Sequence, residues 1–191
     1  MKKLNDVIKE QRIIVFDSEI TKSSMEKKEE IIISYIREDM EKPIRFVVLA
    51  SCPGGQTQHV EYLHDYCKAL NLNVEVYIIG LCFSAAILIL GIAQKEKRFI
   101  STNSKIGFHA FRVNYFLKDI ENVEEQIIRH QNLFMTDKEN LYKYISKNFG
   151  ISDEEILRLN TEGEKYKKYV SAEEAVKMGL VGGTFEKLPF L

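Results

Sequence analysis

Apolar residues along this chain alternate between two periods. Residues 12–16 (Arg-Ile-Ile-Val-Phe) form a short β-rich run. Residues 44–50 and 74–80 are apolar runs of the kind found in strands buried on both faces. Between them the period changes. Residues 23–40 carry Ile31 to Ile33, Ile36 and Met40 at helical spacing, and Pro43 ends that pattern. Residues 56–70 repeat it with Val60, Leu63, Tyr66 or Cys67, and Leu70, after a turn at Ser51-Cys-Pro-Gly-Gly55. Residues 84–94 are apolar all round, which predicts a central helix. Residues 98–101 and 105–111 read as strands, and 122–148 as a long amphipathic helix with Ile127, Ile128, Phe134, Leu141, Tyr144 and Ile145 on its apolar side. Two short helices follow, with Ser152 and Glu155, then Ser171 and Glu174, as capping-box pairs.

Strands alternating with helices predict an α/β fold with a largely parallel sheet. No repeat, low-complexity tract or linker interrupts the pattern, so residues 1–191 are expected to form a single domain. The helix at 122–148 is longer than a small sheet needs and is expected to protrude.

Composition narrows the function. The 191 residues carry a formal net charge of -1, so no field of one sign points to nucleic acid as a partner. The three cysteines, Cys52, Cys67 and Cys82, show no CxxC spacing, which disfavours a disulfide framework and zinc and fits a reducing compartment. Met1-Lys-Lys-Leu is not followed by an apolar run, so no signal peptide is expected. The longest apolar stretch, 85–93, is well short of the ~20 residues a bilayer span requires. A cytoplasmic protein that does not associate with membranes is the expectation.

Three places carry candidate chemistry. Ser84, in Gly80-Leu-Cys-Phe-Ser84-Ala-Ala, falls between a buried strand and an apolar helix. A serine there sits among free helix N-terminal N–H groups that favour an oxyanion, as a nucleophile requires. The same position also suits a plain N-cap. Gly54-Gly55, directly after a buried strand, could present bare N–H groups to a ligand, or could simply form a tight turn. His109, in an apolar segment, is either a general base or a satisfied core histidine. His59, His64 and His130 lie on helices, and none forms an HxxxH or HExxH pair, so no metal or other cofactor is expected.

Taken together, Arg12-Ile-Ile-Val-Phe16, Ser51-Cys-Pro-Gly-Gly55, Gly80-x-x-x-Ser84-Ala, Lys97-Arg98-Phe99, His109 and Ser171-Ala-Glu-Glu-Ala175 resemble Clp protease proteolytic subunits in order and spacing, over residues 8 to 183. The resemblance implies a crotonase-like spiral of β-β-α units with a long handle helix at about 122–148. It implies Ser84 as nucleophile, His109 as base, and the N–H groups of Gly54 and Ala85 as an oxyanion hole. It further implies a homo-oligomer of stacked heptamers enclosing a chamber, an AAA+ unfoldase partner, and peptides or unfolded proteins as substrate.

The chain departs from that pattern in three respects. The family's aspartate before the Ser-Ala-Glu-Glu-Ala motif is missing: counting back from Ser171 reaches Lys167, and counting forward from Asn160 reaches Glu164. Glu164 is the expected substitute as third member, with Asn160 as an uncharged alternative. After His109 the sequence is Ala110-Phe-Arg-Val-Asn-Tyr-Phe116 in place of a glycine-rich strand. The aromatic docking surface for an ATPase is reduced, with Phe46 alone on the strand at 44–50. An active serine endopeptidase is the leading expectation. A weakly active or non-catalytic ring subunit that assembles with an active paralogue is the alternative. An acyl-CoA enzyme of similar architecture would need an ADP-binding stretch and a larger chain, and neither is found.

Overall fold

The computed structural model describes residues 4–110, 123–166 and 168–191, with Glu164 described by its backbone alone. The apolar runs become a five-stranded parallel sheet in the order β1-β2-β3-β5-β8: β1 (Ile13–Phe16), β2 (Ile44–Leu49), β3 (Val74–Ile79), β5 (Arg98–Ser101) and β8 (Gly183–Phe185). A second sheet holds β4 (Leu81–Phe83), β6 (Lys105–Gly107) and β7 (Val170–Ser171). In it β4 and β6 run parallel, and β7 is antiparallel to β6. Each strand of the second sheet that follows β3 or β5 does so after a few residues, which gives the expected β-β-α succession. The helices are α1 (Leu4–Glu10), α2 (Lys22–Glu38), α3 (Thr57–Ala69), α4 (Ala86–Leu90), α5 (Val123–Phe149), α6 (Asp153–Tyr166) and α7 (Ala172–Lys177). The first sheet has an apolar layer on each face. Ile14, Phe16, Phe46, Val48, Val76 and Ile78 point into the main core with α3 and α4, while Ile13, Val47 and Tyr77 point to the other side. This two-sided burial is why the runs lack strict alternation.

Several boundaries differ from the sequence pattern. The apolar run at 84–94 is helical only over Ala86–Leu90. Its neighbours bond three residues back, Ile87 N to Ser84 O, Gly91 N to Leu88 O and Ala93 N to Leu90 O, so tight turns flank one short helix. The strand expected at 105–111 stops at Gly107, which places His109 beyond its end. On α2, Ile31 and Ile33 are exposed and the buried stripe is Met25, Ile32 and Tyr35, while the helix ends at Glu38 and Met40, beyond it, is exposed. Phe46 is fully buried, edge-on to Phe16 at 5.3 Å, so it offers no surface to a partner. The aromatic group lies across the sheet, where Phe99, Phe185 and Phe190 pack around Tyr77.

Helix ends follow the capping chemistry closely. Ser171 and Glu174 form the complete box at α7. At α6 the exchange is one-sided: Ser152 accepts from Glu155 N, while the Glu155 carboxylate is taken by Arg158. The long helix expected at 122–148 runs Val123–Phe149. Only Ile145 and Phe149 of it are buried, and Ile127, Ile128, Leu133 and Met135 are exposed. Among the described residues no helix is long and apolar enough to cross a membrane.

All three cysteines are buried and unpaired. Burial raises the pKa of each, that of Cys67 to about 12. A raised thiol pKa leaves the protonated, unreactive form dominant at pH 8. Iodoacetamide at pH 8 should therefore leave the folded chain unmodified and add three groups per chain in 6 M guanidinium, as read by intact mass.

Candidate active site

β3 and β4 deliver the chain to Ser84, where the backbone takes φ +58. This left-handed conformation is uncommon for a residue with a Cβ and costs ~1–2 kcal/mol. The strain turns the chain sharply from β4 into α4 and lifts the hydroxyl out of both elements. Ser84 is not an N-cap: that position belongs to Ala85, and no side-chain cap bond forms there. The Ser84 hydroxyl instead lies 2.8 Å from His109 Nε2.

His109 follows β6 by two residues, beside the strand that pairs with β4 in register. The adjacent β4 and β6 therefore bring together two side chains that lie 25 residues apart in sequence. The Phe83 ring covers the imidazole, with centroids 4.9 Å apart. His109 Nδ1 lies 2.6 Å from the Ala110 carbonyl oxygen. A carbonyl can only accept, so this contact selects the tautomer with its proton on Nδ1, which has its lone pair at Nε2. In that tautomer the Ser84 O–H donates to Nε2, the geometry a general base requires.

Gly54 closes the other side. Its φ is +90, and a Cβ placed on it would stand 2.7 Å from Ser84 Cβ and 2.8 Å from Ala85 N. Only a bare Cα allows this approach, so the Pro-Gly-Gly turn lies directly against Ser84 and Ala85. The Gly54 N–H also interacts with the Cys52 thiol, partly offsetting the effect of burial there. Gly54 O accepts from Ile20 N at 2.7 Å, which anchors the turn to the segment before α2.

An apolar pocket opens beside Ser84 and His109, with Ile87 and Leu88 from α4, and Leu141 and Ile145 from α5, in its wall. Asn160 of α6 also lines it, almost fully buried, and donates to Tyr142 Oη at 3.2 Å. Asn160 is thus committed to Tyr142, and the Ala110 carbonyl occupies the imidazole nitrogen that Asn160 was expected to orient. Glu164 lies on α6, and its side chain is outside the described residues, as is Lys167 and the segment 111–122 with most of the divergent run after His109.

Two features of the site escaped the sequence reading. The Ala110 carbonyl is a backbone group and leaves no residue-type signature. Gly163 does leave one, as an isolated glycine within a helical pattern. A Cβ there would overlap the Phe108 carbonyl, so α6 packs directly on the backbone that carries His109. Among the described residues no group of three His, Cys, Asp or Glu side chains could hold a metal ion.

The chain is also similar in sequence to known proteins. A family model described as Clp protease matches residues 1–187. The chain is 27% identical over 181 residues to ATP-dependent Clp protease proteolytic subunit 1 of Rhodopirellula baltica, covering 93% of this chain and 74% of that protein. It is 25% identical over 150 residues to ATP-dependent Clp protease proteolytic subunit 4, chloroplastic, of Arabidopsis thaliana, covering 78% of this chain and 47% of that protein. It is also 25% identical over 179 residues to the ATP-dependent Clp protease proteolytic subunit of Dehalococcoides mccartyi, covering 93% and 83% respectively.

The contact at Gly54 gives a stability test. Gly54 and Gly150 both have positive φ, but nothing lies within 4 Å of a Cβ on Gly150. Gly150→Ala should cost only the backbone term, ~1 kcal/mol. Gly54→Ala should cost at least ~1 kcal/mol more, because it adds overpacking to that term. Urea unfolding of the two variants measures the difference.

Proposed function

This chain belongs to the Clp protease family, and from that premise we propose that it is a serine endopeptidase that cleaves peptides or unfolded proteins through a Ser84 acyl-enzyme. The observation that carries the proposal is the 2.8 Å contact between Ser84 Oγ and His109 Nε2 at a strained turn. Ser84 Oγ attacks the peptide carbonyl carbon while His109 Nε2 takes its proton. The carbonyl oxygen becomes an oxyanion, for which the N–H groups of Ala85 and Gly54 are the proposed donors, the Gly54 N–H turning from the Cys52 thiol to do so. His109 then gives the proton to the leaving amine. Water repeats the sequence in reverse on the ester, with His109 again as base. The apolar pocket beside Ser84 fits an uncharged side chain on the substrate.

The third member distinguishes this site. A carbonyl on Nδ1 fixes the tautomer, as an aspartate would, but it carries no full charge to stabilise the imidazolium formed during attack. The site is thus oriented but electrostatically weaker than a triad, where the orienting acid contributes up to ~10⁴ in kcat. Glu164, next to Gly163 in the helix packed on Phe108, is the carboxylate proposed to supply that charge.

Assembly follows the family. Stacked heptamers would enclose Ser84 in a chamber, with α5 as the handle between rings, and the exposed Ile127, Ile128, Leu133 and Met135 suit burial against another copy. An AAA+ unfoldase would feed the chamber from the cytoplasm. A second reading, a weakly active or non-catalytic ring subunit working with an active paralogue, is favoured by one observation: a carbonyl, not a carboxylate, holds Nδ1.

Hydrolysis of a fluorogenic peptide with an apolar residue before the scissile bond separates the two readings. Ser84→Ala and His109→Ala should each fall below ~10⁻³ of the parent rate. Glu164→Gln should stay within ~10-fold if the Ala110 carbonyl suffices, whereas a loss near ~10⁴ would assign the orienting role to Glu164. A parent protein with no turnover above its Ser84→Ala variant would favour the regulatory subunit.

A further inference from the structure

A second cavity lies at the opposite end of the sheet from Ser84, where β3 and β5 begin. Its volume is about 380 Å³. Lys68, Lys97, Arg98 and Lys147 line it together with His64 and Asn148, and no Asp or Glu is part of the lining. Lys68 and Lys147 sit in the last turns of α3 and α5, where a cation complements the helix dipole. Lys97 donates to Asn73 Oδ1 at 2.8 Å. These three lysines have ordinary explanations.

Arg98 has none. It is only 4% exposed, yet among the described residues it forms no ion pair. Its Nε donates to the Ala93 carbonyl at 2.9 Å, and its guanidinium lies over the Phe149 ring at 4.9 Å. Those two contacts fix the plane of the fork. Nη1 is buried with no hydrogen-bond partner. Burial lowers the pKa of Arg98 to about 10, with Tyr144 and Glu96 opposing the shift only in part. At neutral pH the group is therefore a buried cation that Glu96 compensates only in part, an arrangement that an added anion would favour.

We propose that this cavity is a binding site for a small multiply charged oxyanion such as phosphate, held by Arg98 with Lys68 and Lys147. Nε is taken by the Ala93 carbonyl and Nη1 is closed off from the cavity, so the anion would meet the charge of a guanidinium held rigid by an aromatic ring and a carbonyl. The lysines at the mouth add charge from two helix ends. The anion would tie the C-terminal turns of α3 and α5 to the start of β5, so its binding should stabilise the fold.

Isothermal titration of the full chain with inorganic phosphate at constant ionic strength, paired with thermal unfolding, tests the site. Wild type should bind phosphate saturably and unfold at a higher temperature when it is bound. The Lys68→Gln/Lys147→Gln double variant should unfold slightly below wild type without phosphate, having lost two charges at helix C-termini, but bind phosphate at least ~10-fold more weakly and gain less stability from it. Arg98→Lys, which keeps the charge but loses the guanidinium held on Phe149 and the Ala93 carbonyl, should also bind more weakly. Chloride or acetate at the same ionic strength should give no saturable response. The proposal is overturned by absence of saturable phosphate binding in wild type, by unchanged binding in the double variant, or by an equal response to acetate.

Discussion

The site depends on the close approach of Gly54 to Ser84. Ser84 holds a backbone conformation that a side-chain-bearing residue rarely adopts, and such strain persists only where the surroundings over-determine it. Here β4 fixes the incoming chain, the short helix α4 fixes the outgoing one, and the bare Cα of Gly54 fits against the turn. A side chain at position 54 would push Ser84 and Ala85 away from the Pro-Gly-Gly turn. Register, strain and the position of Ser84 are thus one structural fact seen from three sides.

The imidazole is controlled by a second, local device. The sequence has no aspartate where an orienting acid would be expected, and the Ala110 carbonyl lies against Nδ1 in its place. A carbonyl selects the same tautomer as a carboxylate. It differs in the charge it offers to a transient imidazolium, so the geometry of a base can be complete while its electrostatic support is reduced. α6 adds rigidity by packing Gly163 on the Phe108 backbone, one residue before His109.

Much of this was legible in the chain. The runs at 44–50 and 74–80 specified strands because a strand covered on both faces has no polar side to show. Ser84 and His109 could be singled out, but their contact could not be read from either residue, since it arises from the parallel pairing of β4 and β6. What escaped the sequence did so for physical reasons. The run at 84–94 looked like one helix because apolar content records burial and not hydrogen-bond spacing. Ile31, Ile33 and Met40 seemed to form a buried stripe because a helix with apolar residues on several faces does not declare which face meets the sheet. The role of Ala110 rests on its carbonyl, which every residue has. Arg98 read as one charge in a family motif, and only its burial and unfilled Nη1 make it distinctive.

Intact mass after treatment with a fluorophosphonate probe tests the central claim most directly, because the probe reports an activated serine independently of substrate preference. The account predicts one adduct per chain, mapped to Ser84 by peptide sequencing. A folded, assembled protein that acquires no adduct, or acquires it at another residue, would contradict the account.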